Sequence, residues 1–342
     1  MKNIYNNILM VFTYPLSWLY AVAVWIRNVL YDDHILRSTK VNIPTIGVGN
    51  LAVGGTGKTP MTEYLLSLLS PKYQVAVLSR GYGRKTRGFR IAKTGDTALT
   101  IGDEPMQIFM HFPDIPIAVC SDRVMGIKKL KQIYPNLQCV ILDDAFQHRK
   151  LVCGYYILLT SYDCLYVNDS FIPVGRLRDT PKQSLRANAV VVTKCPENMR
   201  PIDKRVVCNA LRLPSYQHLF FSSMVYGDIE IKGKPLVLTG IAHPKYMFQY
   251  IQKLHPDAEL MAYSDHHIFS ASDVNTILQK AEEFDCVVTT EKDYTRLILT
   301  ELKDALGEKL CVLPMRMDFD MEQSLFEREV LLYVAENCRK MN

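Results

Sequence analysis

Short, unbroken apolar runs recur along the chain beyond residue 31, separated by longer stretches in which apolar residues return every three or four positions. The runs Thr45–Gly49, Val75–Ser79, Ile117–Cys120, Cys139–Leu142, Tyr155–Leu159 and Ala189–Thr193 are rich in Val and Ile. They lack the polar alternation of a half-exposed strand, so they predict strands covered on both faces. Helical periodicity fills intervals at Met61–Leu69, Gly102–His111 and Arg123–Tyr134. Such alternation predicts an α/β fold with a mostly parallel, doubly wound sheet, which gathers ligands at the carboxyl ends of its strands. A second set of strands (Leu236–Gly240, Cys286–Thr290, Cys311–Pro314) with helices at Lys245–Leu254 and Ala271–Glu283 predicts a smaller C-terminal α/β domain. The expected division is an N-terminal segment 1–31, a core 32–219 and a second domain 220–342. There are no internal repeats.

The loop after the first run carries the chemistry. Residues Ala52, Val53, Gly54, Gly55, Thr56, Gly57, Lys58 and Thr59 fit the phosphate-binding pattern [A/G]-x-x-x-x-G-K-[S/T], set between a strand and a helix as that loop requires. The glycines let backbone amides crowd round an anion, and the helix N-terminus adds its own affinity for phosphate. Lys58 reaches outer phosphates and the Thr59 hydroxyl suits Mg²⁺. A flexible glycine-rich turn is the bland alternative, and the strand–loop–helix context argues against it. The predicted core is therefore a P-loop NTPase fold that binds ATP with Mg²⁺.

Candidate partners for that loop stand at other strand ends. Asp143 and Asp144 follow a buried run, where P-loop enzymes place a metal-binding acid; two turn-capping carboxylates would be the structural alternative. Gln147 and His148 follow closely, and His148 suits a surface position as well as a phosphate contact. The basic loop 78–90 carries Arg80, Arg84, Lys85, Arg87 and Arg90, of which Arg80 lies nearest the strand and best suits an anion. Asp103 and Glu104 open a predicted helix with Pro105 at an early position. Capping explains one acid; a base for an acceptor hydroxyl explains the other, and the sequence does not separate the two. Arg123 begins another helix, and Arg176, Arg178 and Asp179 share a Pro/Gly-flanked loop whose arginines suit a transferring phosphoryl group. Asp265, His266 and His267 are adjacent. Without a third spaced ligand they are weak evidence for a metal, and a carboxylate–imidazole partnership is the more natural reading.

Composition narrows the classes. The chain has 342 residues, 48% hydrophobic and 22% charged, which is ordinary for a packed globular protein. A formal net charge of +5 is too mild to imply nucleic-acid binding. Nine cysteines without a CxxC pair read as reduced thiols, with Cys139 and Cys286 as core residues. The N-terminus departs from this picture. Ile8 to Ile26 carries no charge, interleaves Trp18 and Trp25 with several tyrosines, and is closed by Arg27. Its length would allow a spanning helix, but Thr13, Pro15, Ser17 and the aromatics better suit an interfacial helix dipped into one leaflet. An ordinary buried helix ranks behind membrane contact. A cleaved signal peptide ranks last, because export would remove the phosphate loop from ATP.

Taken together, "GNLAVGGTGKTP", "LSRGYGRK", "GDEP", "SDR", "LDDAFQH", "GRLRD", "DHHIF" and "TTEKDYTRL", in this order and with the apolar N-terminus, resemble the tetraacyldisaccharide 4′-kinase family of Gram-negative bacteria. The resemblance implies transfer of the ATP γ-phosphate to the 4′-hydroxyl of an acylated glucosamine disaccharide 1-phosphate. It implies an enzyme at the cytoplasmic face of the inner membrane, with no nucleic acid or protein partner. Carried onto matching positions, it makes Asp103 the acceptor of the hydroxyl proton, coupled to His266. Lys58 and Thr59 would serve the phosphates and Mg²⁺, with Asp143 and Asp144 at the metal. Arg123 and Arg178 would face phosphate or the transition state, with Arg80, Glu104, Gln147 and His148 on the substrate side. Asp179 stands where the family usually has Glu, and Ala145 where Gly is common. Two other classes remain in competition. A switch-type NTPase would hydrolyse ATP to move a partner, and a soluble sugar or nucleoside kinase would leave the N-terminus unexplained.

Overall fold

The structure, a computed structural model, describes residues 2–340, the side chains of 2–12 and of 320 excepted. Its principal elements, in chain order, are α1 (Lys2–Asp32), β1 (Thr45–Asn50), α2 (Lys58–Leu69), β2 (Val75–Ser79), α3 (Asp103–His111), β3 (Ile117–Val119), α4 (Arg123–Ile133), β4 (Cys139–Leu142), β5 (Tyr155–Ser161) and β6 (Ala189–Thr193). They continue with α5 (Pro201–Leu211), β7 (His218–Phe221), β8 (Pro235–Thr239), α6 (Pro244–Leu254), β9 (Glu259–Ala262), α7 (Ala271–Ala281), β10 (Cys286–Thr290), α8 (Glu291–Leu297), β11 (Leu310–Leu313) and α9 (Gln323–Arg339).

The described residues form two compact units: residues 2–78, 122–224 and 317–340 make the first, and residues 79–121 and 225–316 the second. The units do not follow a single cut at residue 219. Segment 79–121, with α3, belongs to the second unit. The C-terminal helix α9 belongs to the first, where it buries Phe326, Val330 and Val334 along one face and Tyr333 Oη donates to Thr45 O (3.1 Å). Apolar runs mark strands well, but they carry no information about which unit a strand joins.

In the first unit six strands lie in the order β7-β6-β5-β1-β4-β2, every neighbouring pair parallel. β1, β2, β4 and β6 are buried along their whole length, and so is β5 up to Ser161, as the unbroken apolar runs require. Because all point one way, the loops after β1, β4, β5 and β6 leave from one edge, the edge where such sheets hold ligands. Gly49 keeps that edge tight: a Cβ there would sit 2.5 Å from Phe146 Cβ. In the second unit β9-β8-β10-β11 form a four-stranded parallel sheet over apolar clusters that include Leu238, Ile277 and Val287 on one side and Val237, Ile251 and Val288 on the other. β9 escaped the pattern reading because it is an edge strand with most residues exposed.

The N-terminal run is helical. Its buried residues are Ser17, Val24 and Asn28, whereas Tyr14, Leu16, Trp18, Leu19, Trp25 and Ile26 are exposed. Among the described residues no helix is long and apolar enough to cross a membrane. The start of the run, Ile8 to Phe12, lies outside the described side chains.

Candidate functional site

The phosphate-loop cluster is built within the first unit. α2 begins at Lys58 because Gly57, at its N-cap, adopts φ 88°, a left-handed conformation that side chains disfavour. The loop is braced from outside itself: Asn50 Nδ2 donates to Thr56 Oγ1 (2.8 Å), Thr193 Oγ1 donates to Thr56 O (3.0 Å), and Val53 N donates to Arg176 O (2.7 Å). Thr59 is buried in the first turn. Lys58 Nζ lies 3.7 Å from Asp144 Oδ1.

Asp143 and Asp144 leave the end of β4. Asp143 is fully buried, and Asp144 turns away in the left-handed region with φ 47°. Arg178 holds Asp144 with both terminal nitrogens, Nη1 to Oδ2 at 3.1 Å and Nη2 to Oδ1, and Nη2 also donates to Asn50 Oδ1. Burial alone would raise the Asp144 pKa; Lys58 and Arg178 outweigh it and hold the carboxyl well below the usual range. Arg123, almost wholly buried, donates from Nη2 to Asp143 O (3.1 Å). Gln147 Nε2 donates to Asn50 O (2.7 Å), and His148 is half-buried beside it. The donor set suits Mg²⁺, an oxygen-seeking ion that takes one or two carboxylates and otherwise water and phosphate. Thr59 and Asp143 offer such oxygens, while both Asp144 oxygens are engaged by Arg178.

Asp179 answers a separate question. Its side chain is buried, and Oδ1 accepts from Asn28 Nδ2 (2.7 Å) and from Thr180 N (2.8 Å). It therefore ties the arginine loop to α1. Tyr20 Oη donates to Arg178 O (3.1 Å) and Ser17 Oγ to Phe171 O (2.8 Å) in the same region, while Arg27 Nη2 donates to Gln147 O (2.6 Å) and ties α1 to the segment after β4.

A second cluster lies wholly within the second unit. Asp103 is the first residue of α3 and nearly buried. Its Oδ1 accepts from Glu104 N (3.0 Å), and its Oδ2 lies 2.7 Å from His266 Nδ1. His266 adopts φ 58° on the loop after β9, and Tyr82 packs on its ring with centroids 5.3 Å apart. Lys292, in the first turn of α8, places Nζ 3.3 Å from His266 Nε2, 3.5 Å from Glu104 Oε1, 3.5 Å from Asp265 Oδ1 and 4.0 Å from Asp103 Oδ2. Burial would raise the Asp103 pKa, but the His266 hydrogen bond and Lys292 hold it below the ordinary carboxylate value. For Lys292 burial works downward, and the carboxylates of Glu104, Asp103 and Asp265 overcome it and raise its pKa.

The structure thus brings Asp103, Glu104 and His266 together in one unit, and Lys58, Thr59, Asp143, Asp144, Arg178, Arg123, Gln147 and His148 in the other. Arg80 is exposed. Two other residues of its basic loop serve the loop itself: Arg84 Nη2 donates to Gly88 O (2.6 Å), and Arg90 pairs with Asp96. The adjacent histidines part company. His267 Nε2 faces Asp273 Oδ2 (3.0 Å), and among the described residues no group of three or more His, Cys, Asp or Glu is arranged to hold a metal. Sequence reasoning passed over Lys292 and the wholly buried Asp293. Asp293 accepts from Thr239 Oγ1 (2.8 Å) and Gly240 N (3.0 Å) and pairs with Arg296, whose Nη1 donates to His267 O (3.2 Å) and Nη2 to Gly240 O (3.0 Å). The "TTEKDYTRL" segment held the signal, as a lysine and an arginine inside a short motif after a buried strand.

Comparison with known proteins gives concordant matches. A family model described as tetraacyldisaccharide-1-P 4′-kinase matches residues 9–333. A tetraacyldisaccharide 4′-kinase of Flavobacterium johnsoniae is 43% identical over 345 residues, covering 97% of this chain and 99% of its own. One of Phocaeicola vulgatus is 42% identical and covers 96% of each. Among solved structures, LpxK from Aquifex aeolicus, described as in complex with ATP, superposes with a TM-score of 0.71 at 26% identity, covering 94% of this chain and 97% of that one.

Proposed function

The chain belongs to the tetraacyldisaccharide-1-P 4′-kinase family, and from that premise we propose which of its residues carry the reaction. It is an ATP-dependent kinase that phosphorylates the lipid A precursor at the 4′ position. In our reading, the 4′-hydroxyl oxygen of the acylated disaccharide 1-phosphate attacks the γ-phosphorus of ATP, and its proton passes to an Asp103 carboxylate oxygen. The bond from γ-phosphorus to the bridging oxygen breaks, and ADP leaves. Lys58 and the P-loop amides hold the phosphates. Arg178, fixed by Asp144 and Asn50, offers a guanidinium to charge developing on the transferring group. Thr59 and Asp143 would hold Mg²⁺, which when bound neutralises phosphate charge. Asp144 then orders Arg178 and Lys58 rather than the metal.

The observation that carries the residue-level reading is the 2.7 Å pair of Asp103 and His266: a carboxylate made anionic yet partnered by a group that can itself exchange protons. The exposed aromatic face of α1 supports an interfacial helix that brings the enzyme to its lipid, on the cytoplasmic side of the inner membrane where ATP is present. The test is transfer from labelled ATP and Mg²⁺ to tetraacyldisaccharide 1-phosphate in detergent. A labelled bis-phosphorylated lipid, lost in Lys58→Ala, is the expected product. Rapid ATP hydrolysis indifferent to the acceptor would point to a switch-type NTPase instead.

A further inference from the structure

Lys292 stands where local physics disfavours a cation. It occupies the first turn of α8, next to the positive end of the helix dipole, and its side chain is 19% exposed. The turn is fixed there because Thr290 caps the helix, its Oγ1 accepting from Asp293 N (3.0 Å). What compensates is the ring of acceptors already described: Glu104, Asp265, Asp103 and the imidazole of His266.

The identity of those acceptors constrains the imidazole. A lysine ammonium has only donors. With Nζ 3.3 Å from His266 Nε2, that nitrogen accepts, so the proton of the neutral ring is on Nδ1, aimed at Asp103 Oδ2. Asp265 offers the competing arrangement. Its Oδ2 lies 3.7 Å from His266 Nε2 and would accept from an Nε2–H, but its Oδ1 is engaged by Lys292. The other groups facing the pair are Tyr82, packed on the His266 ring, and Arg296, which is committed to Asp293, Gly240 and His267. With three carboxylates gathered round it, Lys292 is no anchor for a substrate phosphate, which the same carboxylates would repel.

We propose that Lys292 is a positioning residue for the transfer reaction, its ammonium holding His266 in the Nδ1–H tautomer and keeping Asp103, Glu104 and Asp265 gathered in one arrangement. This rests on reading Asp103 as the acceptor of the hydroxyl proton. With Lys292 absent, His266 Nε2 is released to donate to Asp265, and Asp103 loses a cation against its burial.

The experiment compares Lys292→Met and Lys292→Arg with Asp103→Asn in the full chain. Expected for Lys292→Met is a fall in kcat of roughly 10- to 100-fold, a fraction of what a general base supplies, with KM for ATP within about twofold of wild type. The acid limb of kcat/KM moves upward by about one pH unit or more, and Lys292→Arg recovers part of both effects. Nitrogen-15 NMR of labelled histidine shows Nδ1 protonated in wild type and a changed ring in Lys292→Met. Wild-type kcat and an unmoved acid limb in Lys292→Met, or a neutral His266 protonated on Nε2 in the wild-type chain, overturn the proposal. The wild-type tautomer and Lys292→Arg decide the matter even where the Met variant fails to fold. Turnover retained in Asp103→Asn would sink the base assignment, and the tautomer measurement would still report separately on Lys292.

Discussion

Two aspartates, one in each unit, are held as anions by different means. Asp144 is held by Lys58 and by both terminal nitrogens of Arg178; Asp103 is held by His266 and Lys292. In each cluster one residue adopts a left-handed backbone, Asp144 at φ 47° and His266 at φ 58°, as recurs where a site needs a side chain aimed against local preference. At about 4 Å a unit-charge pair is worth about 4 kcal/mol in the effective dielectric near a protein surface, so Lys58 and Arg178 outweigh burial at Asp144, and Lys292 with the His266 hydrogen bond outweighs it at Asp103. The difference lies in the partners. Arg178 never releases its proton, so Asp144 is locked as an anion that orients positive charge. His266 is an imidazole that reaches Asp103 through one ring nitrogen. A carboxylate paired with it is suited to take up a proton during turnover. On the proposed reading, the first cluster does electrostatic work and the second takes the proton.

A large effect is expected from breaking the locked cluster. Arg178→Ala should lower transfer by roughly 100- to 1000-fold, and Arg178→Lys should recover little, because a lysine cannot engage both Asp144 oxygens. Steady-state transfer rates of the two variants measure this. Next is His266→Ala, which should cost roughly 10- to 100-fold in kcat while leaving ATP affinity, measured by calorimetry, unchanged. A matching loss of ATP affinity would mean that the two clusters do not divide the work. A smaller effect concerns the bond that ties the arginine loop to α1. Asn28→Ala removes a donor from the buried Asp179 and should cost about 1–3 kcal/mol in denaturant unfolding, with a modest fall in transfer.

Acid stability sharpens the comparison last. Asp144 and Asp103 both have folded pKa values below the ordinary one. Each therefore contributes stability that is fully present above the unfolded carboxyl pKa of about 3.9 and is lost as pH falls through its lower folded value. Unfolding free energy of Asp144→Asn should accordingly fall less steeply than wild type below about pH 4; an unchanged slope would mean that the cations do not favour the Asp144 anion.

Much of this was legible in the sequence, for reasons that can be named. Buried parallel strands must be unbroken apolar runs, so β2, β4, β6 and β10 were read to the residue. The phosphate loop is local, needing glycine, lysine and threonine at fixed spacing between a strand and a helix. Asp103 was visible as a helix-opening acid, and the family resemblance, not spacing, picked His266 from two neighbouring histidines. What escaped depends on distant pairing. Lys292 was passed over, yet it is largely buried because carboxylates from elsewhere in the chain surround it. The role of Asp179 stayed open in the sequence, because its partner Asn28 lies 151 residues away. The membership of α3 and α9 in their respective units follows from long-range packing that no local pattern carries.

The most direct test of the division of labour is phosphoryl transfer by Asp103→Asn, measured with its ATP dissociation constant. The account predicts a turnover roughly 100- to 10,000-fold below wild type with the ATP constant unchanged. Turnover within a few-fold of wild type would contradict it.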